Sequence, residues 1–359
     1  MSSNIYTIIM AGGVGSRFWP QSRERKPKQF IDILGVGKSL MQMTWDRAVK
    51  FSTKENVIIL TNSLYENLIA THLPDALKEN ILTEPSRNNT APCIAYAAFK
   101  LYQKDPEATM IILPSDHLIL KEETYYQKIK TATQFLQKNE ALLTLGIQPS
   151  RPDTGYGYIQ YFDNQDEVKK VLSFKEKPDA DTAKKYIAEG SYLWNAGIFI
   201  WKAKDVIAAF EKYSPELFQI FNQGNSFYNT ESEKSFIENN YPNSPNISID
   251  YAIMEKAENV FTIPSDVGWS DLGTWTSLWS AKEKDANNNA VTNAENTLLE
   301  NTTNSIISAQ KEKLVVINGL DDFIVVDEKD VLLIYPKSKE QEIKKVTQTI
   351  KDKKANKHL

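Results

Sequence analysis

Residues 5–30 read IYTIIMAGGVGSRFWPQSRERKPKQF and put Gly12, Gly13 and Gly15 directly after a short apolar run. Ile5, Tyr6, Ile8, Ile9 and Met10 predict a buried strand, and the glycines predict the loop that follows it. Without side chains such a loop admits a ligand close to the backbone and offers N–H groups to phosphate oxygens. Arg17, Arg23, Arg25, Lys26 and Lys28 come next. Several N–H groups beside two or three reachable cations suit a triphosphate. The run from Gly13, G-V-G-S-R-F, lacks the third glycine of a dinucleotide fingerprint, and no Gly-Lys-Ser/Thr closes a P-loop. A glycine loop alone would equally describe a tight turn carrying surface charges.

Oxygen ligands and a second cation lie further on. Leu113-Pro114-Ser115-Asp116-His117 sits at the carboxyl end of a predicted strand, the edge at which open α/β sheets bind ligands. Asp116 is a candidate Mg²⁺ ligand, and Asp271, also just after a strand, offers a second carboxylate. Magnesium takes one or two protein carboxylates together with substrate phosphates. Each aspartate could instead be a cap, Asp271 for a helix starting near Gly273. His117 reads as a structural or supporting residue. In Phe174-Lys175-Glu176-Lys177-Pro178 the proline ends a strand, which places Glu176 and Lys177 at the ligand edge, although K-E-K also reads as a solvated charge run. Glu176 can accept from sugar hydroxyls, Lys177 can hold a phosphate as a point charge, and Asn195 can both donate and accept.

The elements that must position these groups alternate. Strands are predicted at 57–60, 81–82, 110–113 and 141–147, with helices over roughly 39–51, 62–72, 90–104 and 122–138. Ser39 caps the first helix, and Thr90 caps the third with Pro92 in its first turn. That rhythm predicts a Rossmann-like α/β fold, a mostly parallel sheet flanked by helices. After residue 150 the strands at 155–159 and 171–174 follow without a long helix. Asp179 caps a short helix that Gly190 ends, Leu193–Trp201 is a strand, helices fill most of 203–257, and Phe261–Ile263 is a strand. From about 283 short apolar runs recur at even spacing, a β-rich module that is either a short β-helix-like coil or a small sandwich. The predicted division is residues 1–282 and 283–359. The last twenty or so residues are lysine-rich and read as a solvated amphipathic helix.

AGGVGSRFWP and PKQF resemble the signature of sugar nucleotidyltransferases, and Trp19-Pro20, Ser22 and Pro27-Lys28-Gln29-Phe30 resemble its mannose-1-phosphate guanylyltransferase branch. EP…NTAP, LPSDH, GYGYI, FKEKPD, WNAGIF, SIDYAIMEK and GWSDLGTW continue the likeness over most of residues 5–280. The resemblance implies a nucleotidyltransferase type A-like fold and synthesis of GDP-mannose and diphosphate from GTP and mannose 1-phosphate with Mg²⁺. It implies nucleotide contacts at Ala11, Gly12, Gly13, Gly15, Ser16, Arg17, Lys28, Glu84, Pro85, Asn89, Thr90, Ser115 and Asp116. Mannose 1-phosphate falls to Gly157, Glu176, Lys177 and Asn195, the metal to Asp116 and Asp271, and catalysis to Arg17, Lys28 and Lys177. Two departures bear on the base: Arg87 stands where the family often has glycine, and Asn88 where it often has a basic residue. Longer relatives add a cupin-type isomerase domain; His72, His117 and His358 form no metal-binding pattern, and no isomerase activity is expected.

The whole chain narrows the alternatives. Its 359 residues exceed what one core usually supports. A net charge of −4 gives no global basic field for nucleic acid. Cys93 is the only cysteine, so no intrachain disulfide forms. No signal peptide and no bilayer-spanning apolar run are visible, which predicts a cytoplasmic location without a membrane partner. A homodimer through the β-rich module is expected. The rival readings are the same transfer with another sugar 1-phosphate or nucleotide, a regulatory subunit that only binds a nucleotide sugar, and a nicotinamide-dependent oxidoreductase.

Overall fold

The structure, a computed structural model, describes residues 4–359. Its strands are β1 (Ile5–Ala11), β2 (Val57–Asn62), β3 (Ile81–Glu84), β4 (Thr109–Pro114), β5 (Leu118–Ile119), β6 (Leu142–Ile147), β7 (Tyr158–Tyr161), β8 (Lys169–Lys175), β9 (Tyr192–Lys202), β10 (Val260–Pro264), β11 (Trp269–Ser270), β12 (Ala290–Thr292), β13 (Asn296–Glu300), β14 (Ile306–Ser308), β15 (Leu314–Asn318), β16 (Phe323–Asp327) and β17 (Leu332–Pro336). The chain forms two compact units. The first takes the chain up to Gly12, Trp45–Pro114 and Ile119–Trp269; the second takes Gly13–Thr44, Ser115–Leu118 and Ser270–Leu359. The second unit thus draws in three stretches that the sequence reading kept within residues 1–282, namely 13–44, 115–118 and 270–282. The reason is apolar: Phe18, Trp19, Ile33, Leu40 and Leu118 share one buried core with Trp275, Ile306, Ile324 and Ile343.

The first unit is a nine-stranded sheet in the order β3-β2-β1-β4-β9-β6-β10-β8-β7. β1 runs parallel to β2 and β4, β2 to β3, and β6 to β10. β9 is antiparallel to β4, β6 and β7, and β8 to β10 and β7. Every residue of β2 and of β6 is buried, as expected of strands covered on both faces. Side chains alternate between two cores: Met110 and Ile112 enter one with helix Thr90–Lys104, while Ile111 and Leu113 enter the other with helix Glu122–Leu136. The caps are local chemistry. Asp179 Oδ1 accepts from the N–H groups of Asp181 and Thr182, and Gly190 ends that helix at φ 72°. Helix Thr90–Lys104 is capped by Asn89, whose Oδ1 accepts from Thr90 N, rather than by Thr90.

In the second unit, parallel rungs stack Ala290 on Ile306 and Ile306 on Ile324, with a second ladder joining β13 to β15. This is a short coil, closed by antiparallel β17. Trp275 joins it to the glycine-loop segment: its ring centroid lies 5.0 Å from that of Phe18, and its Nε1 donates to Trp19 O.

Candidate functional site

The second unit gathers the expected phosphate and metal residues around one ammonium. Gly15 adopts φ 69° and starts a tight turn, Ser16–Phe18. That turn brings the loop against Lys28, whose N–H reaches Val14 O at 3.4 Å. Gln29 Nε2 donates to Gly13 O and Ser22 Oγ to Val14 O, so the PKQF and FWPQS stretches both brace the glycine loop. Lys28 is only 3% exposed. Its Nζ donates to Asp116 Oδ2 at 2.7 Å, Asp271 O at 2.8 Å and Leu272 O at 3.0 Å. An ammonium has three N–H donors, and three acceptors take them. Lys28 therefore stands differently from the sequence expectation of a free phosphate donor. In this conformation it ties Asp116 to the 271–272 turn and contributes a field rather than an open N–H.

Burial works to raise the Asp116 carboxyl, but the Lys28 ammonium and His117 outweigh it and hold it below the ordinary carboxylate range. Asp271 is not the cap of the following helix. Thr274 caps Trp275–Ala281 through a reciprocal pair with Ser277, while Asp271 Oδ1 accepts from Gly273 N. A Cβ on Gly273 would stand 2.5 Å from Asp271 Oδ2, so glycine is needed for this carboxylate to sit where it does. Lys28 thus holds the carboxylate of Asp116 but only the backbone of Asp271, whose own carboxylate turns to Gly273 N. No cluster of three or more His, Cys, Asp or Glu suited to a metal stands among the described residues. Ser115 is buried, and its carbonyl accepts from Thr44 Oγ1. Ser16 and Gly13 are exposed. Arg17 is half-buried, with a buried Nε that has no acceptor.

The first unit gathers the residues expected at the sugar. A Cβ on Gly157 would lie 2.6 Å from Glu176 Oε2 and 3.4 Å from Asn195 Cβ. An added side chain there would displace the Glu176 carboxylate. Asn195 N donates to Gly157 O, and Asn195 Oδ1 accepts from Thr144 Oγ1. The Lys177 ammonium pairs with Glu176 Oε1. The structure adds a residue that sequence reasoning missed. Asp250 Oδ1 accepts from Asn195 Nδ2 at 3.0 Å. Burial, and then the neighbouring Glu176 carboxylate, push the Asp250 carboxyl up to about 7, against the pull of Lys177. Asp250 was visible within SIDYAIMEK, but an acid on a helical segment reads as solvent-facing.

The remaining predicted residues also fall in the first unit, with varied surroundings. Ala11 ends β1, and its carbonyl accepts from Thr61 Oγ1. A Cβ on Gly12 would meet Glu84 Oε2 at 3.6 Å. Glu84 is buried and bonded to the Tyr241 hydroxyl. Burial raises its carboxyl to about 7, although Tyr241 and Cys93 favour the charged form. Pro85 is exposed. Asn89 caps its helix at φ 71°, and Thr90 Oγ1 accepts from Ile249 N. Of the two departures, Asn88 is buried and Arg87 exposed. Asn88 Nδ2 donates to Tyr241 O and to Ser244 O and Oγ, and Arg87 Nη2 donates to Tyr65 Oη.

A family of nucleotidyl transferases matches residues 6–288, and a family described as mannose-phosphate isomerase or GMP-like β-helix domains matches residues 295–350. A mannose-1-phosphate guanylyltransferase of Escherichia coli is 35% identical over 97% of this chain and 76% of its own length. One from Klebsiella pneumoniae is 34% identical over 96% and 73%. A crystal structure described as a mannose-1-phosphate geranyltransferase from Thermus thermophilus superimposes with a TM-score of 0.88 at 27% identity, covering 97% of this chain and 99% of that one. The glycine loop, the lysine-organised aspartates and the Gly157–Glu176–Asn195 cluster all lie within the matched span, and the chain belongs to the mannose-1-phosphate guanylyltransferase family of nucleotidyl transferases.

Proposed function

We propose that this enzyme transfers the guanylyl group of GTP to mannose 1-phosphate, giving GDP-mannose and diphosphate. The observation that carries the reading is the Lys28 ammonium, which binds Asp116 and the backbone of Asp271 beside a braced glycine loop. A phosphate oxygen of mannose 1-phosphate attacks the α-phosphorus of GTP. The bond from that phosphorus to the bridging oxygen breaks, and diphosphate leaves with the bonding pair. Phosphate oxygens are already nucleophilic anions at neutral pH, so no serine or cysteine need be activated. The obstacle is repulsion between anions, which preorganised cations offset while the reactants are held in line. Gly13, Gly15, Ser16 and Arg17 serve the nucleotide phosphates, and Lys28 holds the aspartates in register. Gly157, Glu176 and Asn195 bind the mannose ring, and Lys177 the sugar phosphate. Magnesium would be held by Asp116 and Asp271 and would neutralise charge on the nucleotide phosphates.

Residues 1–282 are assigned the transfer chemistry. No helix among the described residues is long and apolar enough to cross a membrane. A cytoplasmic homodimer is the proposed working form. The test is diphosphate release with mannose 1-phosphate and magnesium across GTP, ATP, UTP and dTTP, with glucose 1-phosphate as comparison. Release confined to GTP and mannose 1-phosphate is expected. Preference for another pair would overturn the specificity, and no release from folded protein would overturn the reaction.

A further inference from the structure

The C-terminal helix Ile343–Asp352 belongs to the second unit and packs on the Ser16–Phe18 turn. Lys344, Thr347 and Lys351 recur at helical spacing and share one face. Thr347 and Lys351 line a cavity of about 220 Å³ together with Val14 and Ser16, so that face looks onto the glycine-loop segment. Two cations of this region are neutralised: Lys351 by Glu24 at 2.7 Å, and Arg23 by Asp330 at 2.6 Å. Arg17 and Lys344 are not. Neither has a carboxylate within ion-pair distance among the described residues. The Arg17 Nε is buried without an acceptor. The two charges also act on each other, because Arg17 depresses the Lys344 ammonium, with burial adding to the effect. Like charges left together at a glycine-rich loop cost stability unless an anion joins them.

We propose that Lys344 is a substrate-binding residue, which with Arg17 completes a site for the β- and γ-phosphates of the nucleotide. This rests on the assignment of the glycine loop to the nucleotide. This gives the helix a binding role beyond the solvated terminus that the sequence reading expected. A polyphosphate carries several closely spaced negative oxygens, which suit two cations presented from different elements. A lysine meets them as a mobile point charge. The helix would then be ordered further by nucleotide, and truncation of the C-terminus would be felt as lost nucleotide affinity.

Lys344 is exposed, so replacing it leaves the core untouched. The test compares wild type, Lys344→Gln, Lys344→Glu and Lys344→Arg in the full chain. Expected for Lys344→Gln is a rise in KM for the nucleotide of roughly tenfold, the scale of one charge-assisted hydrogen bond. The KM for mannose 1-phosphate should stay unchanged, the effect should be larger in Lys344→Glu, and Lys344→Arg should restore affinity. The second readout is the Tm increment on adding inorganic tripolyphosphate, which should shrink in Lys344→Gln although the free variant melts no lower than wild type. Unchanged nucleotide KM and an unchanged tripolyphosphate increment in Lys344→Glu would overturn the inference. The tripolyphosphate readout needs no turnover, so it decides this point even if the wild type fails with GTP and mannose 1-phosphate, a failure that would count against the proposed reaction alone.

Discussion

The Lys28 ammonium sits where a carboxylate and two carbonyls converge, 5.8 Å from the centroid of the Phe18 ring, and its stem packs beside Gly15. Lys28→Met keeps much of the stem and removes the charge, leaving Asp116 facing the Asp271 and Leu272 carbonyls. Loss of about 10²–10³ in kcat is expected, the scale of one preorganised electrostatic group, here a field and a brace for Asp116, together with roughly 2–3 kcal/mol of stability for a broken buried pair that retains some solvent. Steady-state kinetics and denaturant unfolding of the same sample check both. A variant with wild-type kcat would remove Lys28 from the reaction. A second residue-scale prediction concerns protons. The folded-state carboxyls of Asp250 and Glu84 lie near 7, above their unfolded values. The native state therefore holds protons that the unfolded chain releases. Their contribution is full below about pH 4 and lost as pH rises through about 7. Raising the pH from about 6 to about 8 should lower Tm by a few degrees, and Asp250→Asn should flatten that slope. An equally steep slope in the variant would remove Asp250 as a source.

At the scale of elements, the glycine-loop turn works because Gly15 can take a positive φ and come close to Lys28. An added Cβ would stand 2.5 Å from Lys28 Cβ. Gly37 also has a positive φ, 82°, but a Cβ there meets nothing within 4 Å. Gly37→Ala should cost about 1 kcal/mol of backbone strain. Gly15→Ala should cost about 2–3 kcal/mol, since overpacking adds to the strain, and should lower kcat as it shifts Lys28. Equal costs in denaturant unfolding would show that the contact with Lys28 is relieved without consequence. The turn itself was legible, since Gly15 lies in a glycine-rich run. Its partner was not, because Lys28 lies thirteen positions beyond Gly15 and no local period links them. The C-terminal helix makes the same point. Its lysine content reads as a solvated face, yet Ile343 is fully buried, and the face carrying Lys344 is set by what packs against it.

At the scale of the molecule, β13 and β15 expose an apolar face. Leu298 pairs in register with Val316, and Leu314 lies two residues before it, so the three share one side of that ladder. Leu298, Val316 and Leu314 are 51%, 60% and 68% exposed, respectively. Contiguous exposed apolar residues of this kind mark interaction surfaces, and a second copy of the chain is the proposed occupant. Light scattering should give a dimer mass for the wild type and a monomer mass for Leu314→Glu/Val316→Glu, with nucleotide affinity retained. A monomeric wild type at micromolar concentration would overturn this.

The sequence by itself determined the strand–helix alternation, most caps, the coil-like module and the residue types of the site. These follow from local periodicity, capping chemistry and a long, specific resemblance. Strand direction was beyond it: β9 reads as a strand from its own residues, but only its neighbours β4 and β6 make it antiparallel. So was the drawing of residues 13–44 into the unit of the C-terminal coil, which depends on which apolar side chains find a common core. The tertiary structure alone decided that Lys28 is held by Asp116 and two carbonyls, that Asn88 bonds Ser244 and Arg87 bonds Tyr65, and that Asp250 sits against Asn195. Each of these rests on groups tens to hundreds of residues apart. Whether such a group is a ligand, a brace or a proton store depends on the burial and charge around it, and those exist only once the chain has folded.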